Sequence, residues 1–167
     1  MIWRCIILEE DGSGLADADT YANVQTVDNY HTKLLNTAWT DITDNLVKES
    51  HIYKAMNYLE SVFGFQWVGE PLLPDTQALS MPRLYNGLTL YPKELKNAVC
   101  ELALESVNLN GEPLMTNTAQ RVKKEKVSSI EVEYSEYSSE ITQYTTVYQL
   151  LNPYVESSSS YEHRVSR

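Results

Sequence analysis

Between Pro92 and Gly111 apolar side chains return at helical steps: Leu95, Val99, Leu102, then the small Ser106, then Leu109. That spacing lays one stripe along an α-helix, and such a helix is stable in water only when another surface covers the stripe. Pro92 suits the first helical position, Glu94 lies near the positive end of the helix, and Gly111 marks the stop. The chain must therefore contain at least one more element that packs on this helix. A second stripe, Leu46, Tyr53, Met56, Leu59 and Phe63, supplies it, with Thr43 as the expected cap, Asp44 at the positive end and Gly64 as the stop. Val27, Tyr30 and Leu34 predict a further helix over about 26–36, capped by Thr26 with Asp28 in its first turn.

The segments between and after these helices are of other kinds. Ile6 to Leu8 is a short apolar run ended by Asp11-Gly12-Ser13-Gly14, which reads as an arm and a turn over residues 1–25. Residues 64–91 lose the helical period and gather Gly69, Pro71, Pro74 and Pro82 around Trp67, which predicts a long irregular loop inside a helical domain of residues 26–120. Arg121 to Val127 and Ile130 to Tyr134 alternate in character about Ser128-Ser129, predicting a β-hairpin over 121–135 with one basic and one acidic strand. Residues 136–167 are dominated by Ser, Thr and Tyr around one apolar island, Val147, Leu150 and Leu151, and read as an extended C-terminal tail. The fold class is mainly α: a small helical bundle with a β-hairpin and an extended tail.

Composition narrows function more by what it disfavours. With 13 Lys and Arg against 23 Asp and Glu, the net charge is -10, which repels nucleic-acid phosphates unless the cations cluster. The cluster that exists is Arg121, Lys123, Lys124 and Lys126; it can meet nucleic acid, an acidic protein face, or its own partner strand with Glu131 and Glu133. Tyrosines of the tail could stack on bases, but Glu133, Glu136 and Glu140 sit among them, and protein contact is the better reading. Cys5 and Cys100 stand alone, as small core hydrophobes in a reducing compartment would. His31, His51 and His163 share no metal or triad spacing, so no catalytic residue, cofactor or metal is expected and the chain reads as no enzyme. Gly12-x-Gly14 lacks the third glycine of a dinucleotide loop and reads as a turn, and Glu9-Glu10 as solvated surface acids. The opening run is too short for an export signal, and no stretch approaches the roughly 20 apolar residues of a membrane span.

Six motifs in order resemble a family of tailed-phage head-to-tail adaptors often labelled DnaT-like. Glu10-Asp11-Gly12-Ser13-Gly14-Leu15 with Ala18-Asp19-Thr20-Tyr21 is similar to the family's opening, and Asp28-x-Tyr30-His31 to its first helix. Trp67-x-Gly69 and Gln77-Ala78-Leu79-Ser80-Met81-Pro82-Arg83 resemble its central run, with Met81 in place of the usual tryptophan. Pro92-x-x-Leu95-Lys96-x-Ala98 with Glu101-Leu102-Ala103 resembles its third helix; Val122 to Tyr134 resembles its hairpin; Leu150-Leu151-x-Pro153-Tyr154 and Val165-x-Arg167 resemble its tail, with Ser157 to Ser160 where the family has a glycine-rich spacer.

The resemblance implies a homo-oligomeric ring, commonly of about twelve copies, made in the host cytoplasm and residing in the virion neck beneath the portal protein. Its partners would be the portal, a tail-side neck or tail protein, and DNA passing through an acidic lumen without sequence-specific binding, with no membrane. The residues expected to hold the portal or another partner are Tyr148, Leu150, Leu151, Pro153, Tyr154, Val155, Arg164, Val165 and Arg167 of the tail. The hairpin residues Arg121, Lys123, Lys124, Lys126, Glu131 and Glu133 are expected at contacts between subunits or partners, and Trp67, Gln77, Leu79, Pro82 and Arg83 are expected to be structural. The alternative is a module that binds single-stranded DNA, as the family label says.

Overall fold

The computed structural model describes residues 7–115, 126–127, 130–131 and 144–156, the two short middle pairs by their backbone. The fold is mainly α, as the periodicity predicts. The two long helices, α3 (Asn45–Phe63) and α4 (Lys93–Asn108), form its central pair. Helix α4 buries Leu95, Ala98, Val99, Leu102, Ala103 and Ser106, which contain the predicted stripe; Leu109 falls at the C-cap, partly exposed. Pro92 is the N-cap rather than the first helical residue. Helix α3 is capped by Asp44, whose carboxylate accepts from the Leu46 N–H, so Thr43 is not the cap; Gly64 is the C-cap. Its buried face runs through Ile52, Ala55, Met56, Leu59, Val62 and Phe63, whereas Leu46, in the first turn, is 62% exposed.

Helix α1 (Val24–Lys33) starts earlier than predicted, because Asn23 is the cap and its Oδ1 accepts from the Thr26 N–H at 2.9 Å. The Thr26 hydroxyl serves another purpose and donates to Glu9. The helix also ends earlier, in a turn at Leu34 and Leu35, and a four-residue helix α2 (Thr37–Thr40) follows that the sequence did not announce. Trp39 of α2 is fully buried against His31.

Two expectations are corrected. Residues 64–91 are not irregular throughout: they hold a small three-stranded antiparallel sheet of β1 (Glu70–Pro71), β2 (Arg83–Tyr85) and β3 (Leu88–Leu90) among turns and bends. Strands β2 and β3 are joined by Asn86-Gly87, both at positive φ, which is the two-residue turn that matches strand twist. The tail is likewise not extended over residues 145–154. Residues Thr145–Leu151 form α5, continued by a 3₁₀ turn at Asn152–Tyr154, and Val147 and Leu151 are buried on α4. Three apolar residues at spacings of three and four are enough for a short helix when a prebuilt surface receives them.

The N-terminal segment belongs to the same core, since Ile7, Ala18, Tyr21 and Ala22 are buried. In the predicted hairpin, β4 (Lys126–Val127) pairs antiparallel with β5 (Ile130–Glu131), Val127 opposite Ile130 and Lys126 opposite Glu131. Arg121, Lys123, Lys124 and Glu133 lie outside the described residues, as do Cys5, His163, Arg164, Val165 and Arg167.

Candidate docking surface

The opening and central motifs, about sixty residues apart in sequence, meet in one place. Tyr21 is fully buried and its Oη donates to Glu60 Oε1 at 2.5 Å, while the Met81 N–H donates to the same Oη at 3.0 Å. Ser80 donates to both Glu60 oxygens, from Oγ at 2.9 Å and from N at 3.2 Å, and its Oγ accepts from Trp67 Nε1 at 2.8 Å. Burial first, and the neighbouring Glu60 carboxylate second, hold the Tyr21 phenol well above its usual range, so it stays a neutral donor. The network fastens the N-terminal segment, α3 and the 64–91 connection to one another.

The five residues expected to be structural surround it. Trp67 is buried and stacks on Phe63 with centroids 5.7 Å apart. Gln77 donates to the carbonyls of Leu79 and Pro82 and accepts from the Leu73 N–H, which shapes the turn before the cis Met81–Pro82 peptide. Arg83 donates to the carbonyls of Val68 and Gly69, at 3.1 and 2.6 Å. Gly69 sits at φ 77 with the Leu84 carbonyl 2.4 Å from where a Cβ would stand, so only glycine fits. The Met81 side chain is fully buried and fills its site without a ring.

A second closed loop lies at the start of the described chain. The Glu10 carboxylate is buried and accepts from the backbone N–H groups of Gly12, Gly14 and Leu15 at 2.8 to 2.9 Å. Glu9 accepts from the Asn23 N–H, the Thr26 hydroxyl and Lys96 Nζ. The two acids are thus not solvated surface groups; they organise the turn and clamp it to α1 and α4, because three aligned N–H donors stabilise a carboxylate better than water does. The glycine turn is built around a carboxylate.

The C-terminal segment leaves from the Trp67 side. Val68 N–H donates to the Tyr154 carbonyl at 3.0 Å and Glu156 N–H to the Gln66 carbonyl at 2.7 Å, so Tyr154 to Glu156 run as a short strand beside Gln66 to Val68. Of the residues expected to bind a partner, Leu151 is fully buried in this chain's own core, and Leu150, Tyr148, Tyr154 and Val155 are half-buried against it. The Tyr148 ring lies 4.9 Å from Phe63, and Tyr154 Oη donates to Glu94 at 3.0 Å. Pro153 is exposed. Residues 144–156 therefore pack on the chain's own core rather than reaching out from it.

Charge on the folded body is one-sided. Residues 7–115 and 144–156 contain seventeen Asp and Glu against six Lys and Arg. Four of the six cations are engaged internally: Lys48 with Asp28 at 2.8 Å, Lys96 with Glu9, Arg83 with two carbonyls, and Lys54 with the Gly111 carbonyl. Lys33 and Lys93 alone have no protein partner among the described residues. His31 is buried, donates from Nε2 to the Cys100 carbonyl and accepts at Nδ1 from Asn36, which fixes the neutral ring; Cys100 itself is buried, its thiol pushed up to about 12. His51 Nδ1 lies 2.8 Å from Ser106 Oγ, a pair closed inside the helix interface. Among the described residues no group of three or more His, Cys, Asp or Glu could hold a metal ion, and no helix is long and apolar enough to cross a membrane.

No match was found among curated proteins or among solved structures. The family model described as "Putative DnaT-like ssDNA binding protein" matches residues 6–167. That span covers all but the first five residues, takes in the Glu10 turn, the Trp67 network and the C-terminal seat alike, and the chain belongs to this DnaT-like family.

Proposed function

We propose that this chain is a structural, non-catalytic subunit of the neck of a tailed phage, a head-to-tail adaptor that assembles in a ring beneath the portal and lets DNA pass. The observation that carries the reading is the charge of the folded body, seventeen acids against six bases with four of those bases held internally. Such a surface leaves phosphates few cations to hold, whereas a wall of like charge suits a conduit along which a duplex must slide. The order of the motifs supports the same reading. The test is whether the protein is a component of the particle, read as its copy number in purified virions.

The family's description favours a second reading, a module for single-stranded DNA. Its cations would be Arg121, Lys123, Lys124 and Lys126, the one dense basic run in the chain. A fluorescently labelled oligonucleotide separates the two. The adaptor reading expects no saturable binding at low salt; binding that weakens steeply with added salt would move the single-stranded DNA module to first place.

A further inference from the structure

The chain contains two Asn-Gly steps, Asn86-Gly87 and Asn110-Gly111. Their backbones are left-handed to nearly the same degree, φ 51 and 78 at the first step, φ 52 and 79 at the second. Their surroundings differ. Gly87 is exposed at the tip of the β2–β3 hairpin, a Cβ built there would meet nothing within 4 Å, and among the described residues its N–H meets no acceptor. The Asn86 side chain is exposed too and has no hydrogen-bond partner among the described residues. At the second step the Gly111 N–H donates to the carbonyl of the buried Ser106 at 3.0 Å and the Asn110 N–H to that of Val107 at 2.9 Å. Lys54 Nζ donates to the Gly111 carbonyl at 2.7 Å and holds the same turn against α3. The two steps match in residues and in φ, and only the first leaves its glycine nitrogen free.

We infer that Asn86 is a site of spontaneous modification, at which the folded chain converts asparagine to aspartate and isoaspartate while Asn110 is held back. The Gly87 nitrogen attacks Asn86 Cγ and closes a cyclic imide, unobstructed because glycine has no Cβ. The N–Cγ bond forms, the Cγ–Nδ2 bond breaks, and Nδ2 leaves as ammonia with the proton that the Gly87 nitrogen gives up. Water then opens the imide, its hydroxyl going to one of the two carbonyl carbons and its proton to the nitrogen. Opening at Cγ yields aspartate; opening at the main-chain carbonyl yields isoaspartate, whose backbone runs through the side chain and is one carbon longer. Strands β2 and β3 are three residues each, so the tip can open locally and bring the nitrogen to Cγ without unfolding the core. Either product adds a negative charge to a chain of net charge -10, and isoaspartate cannot keep the two-residue turn that pairs Tyr85 with Leu88.

The experiment is incubation of the full chain in heavy-oxygen water at mildly alkaline pH, once folded and once in urea, followed by digestion in ordinary water. The tryptic peptides 84–93 and 97–121 hold one step each, and mass together with chromatography separates asparagine, aspartate and isoaspartate. In the folded protein peptide 84–93 should gain both products, each with one heavy oxygen, about tenfold or more faster than Asn110 converts, since Gly111 must first break its hydrogen bond. In urea both glycine nitrogens are free, and the ratio should fall to near one. Asn86→Gln should abolish the conversion in its peptide, because the imide would then need a larger ring. Equal rates in the folded protein, or faster conversion at Asn110, overturn the inference. So does a ratio that persists in urea, which would assign the difference to sequence rather than to the fold, and so does aspartate as the sole product, which direct hydrolysis of the amide would give. These outcomes are independent of whether the protein is a virion component.

Discussion

Tyr21 Oη lies 2.5 Å from Glu60 Oε1, joining a fully buried residue of the N-terminal segment to the last turn of α3. Tyr21→Phe removes that donor and leaves both Glu60 and the Met81 N–H short of a partner. The expected loss is about 1–3 kcal/mol, the cost of stranding buried polar groups, read as a lower urea midpoint with unchanged m-value.

Leu151→Ala empties a fully buried site between α5 and α4 and should lower stability by about 2–5 kcal/mol. Removing residues 157–167 should leave the unfolding midpoint unchanged, because among the described residues the core contacts of the C-terminal segment end at Val155. A midpoint unmoved by Leu151→Ala would show that α5 does not contribute to the core.

That pair of variants marks where the sequence could and could not be read. The stripes on α3 and α4 were legible because burial on one face of a helix imposes a period. The island Val147, Leu150, Leu151 carries the same period, but over too few residues to distinguish a docked helix from a ligand for another protein; only the presence of a receiving surface on α4 decides. The sheet within 64–91 was missed although Asn86-Gly87 between Leu84-Tyr85 and Leu88-Thr89 is a strong hairpin signal, because the prolines and glycines around it read as breaks. The burial of Glu10 was not legible at all: a carboxylate folded back onto its own N–H groups has no periodic signature. Of the family motifs, by contrast, the opening and central ones meet in one network, where Tyr21, Trp67 and Ser80 are joined.

Stability should fall as the pH drops below neutrality. Burial lowers the pKa of both His31 and His51 from the ordinary value near 6.5, and the nearby Lys54 lowers His51 further. In the unfolded chain these rings take up protons around that value while the folded protein resists, so the unfolded state binds more protons and gains as pH falls. The contribution is fully present above about pH 6.5 and is lost on descending toward the folded values. Urea midpoints at pH 7.5, 6.5 and 5.5 should decrease in that order, and His31→Gln should flatten the decline relative to its own value at pH 7.5.

Neutralising Arg121, Lys123, Lys124 and Lys126 separates the two functional readings at the level of the hairpin. Were they the phosphate contacts of a single-stranded DNA module, the wild-type protein would show a slope of log K against log salt near −3, at about 0.7 per contact, and the variant would lose it. The adaptor reading expects no measurable affinity in either protein, and a salt-dependent loss of binding confined to the variant would contradict it.

The central claim is that this protein is a piece of the particle rather than a factor acting on DNA. On the proposed reading the chain is encoded by a tailed phage, and quantitative mass spectrometry of that phage's purified virions tests the claim directly. The account predicts a fixed copy number, about twelve per particle if the ring is of the size the resemblance implies; absence from purified virions would contradict it.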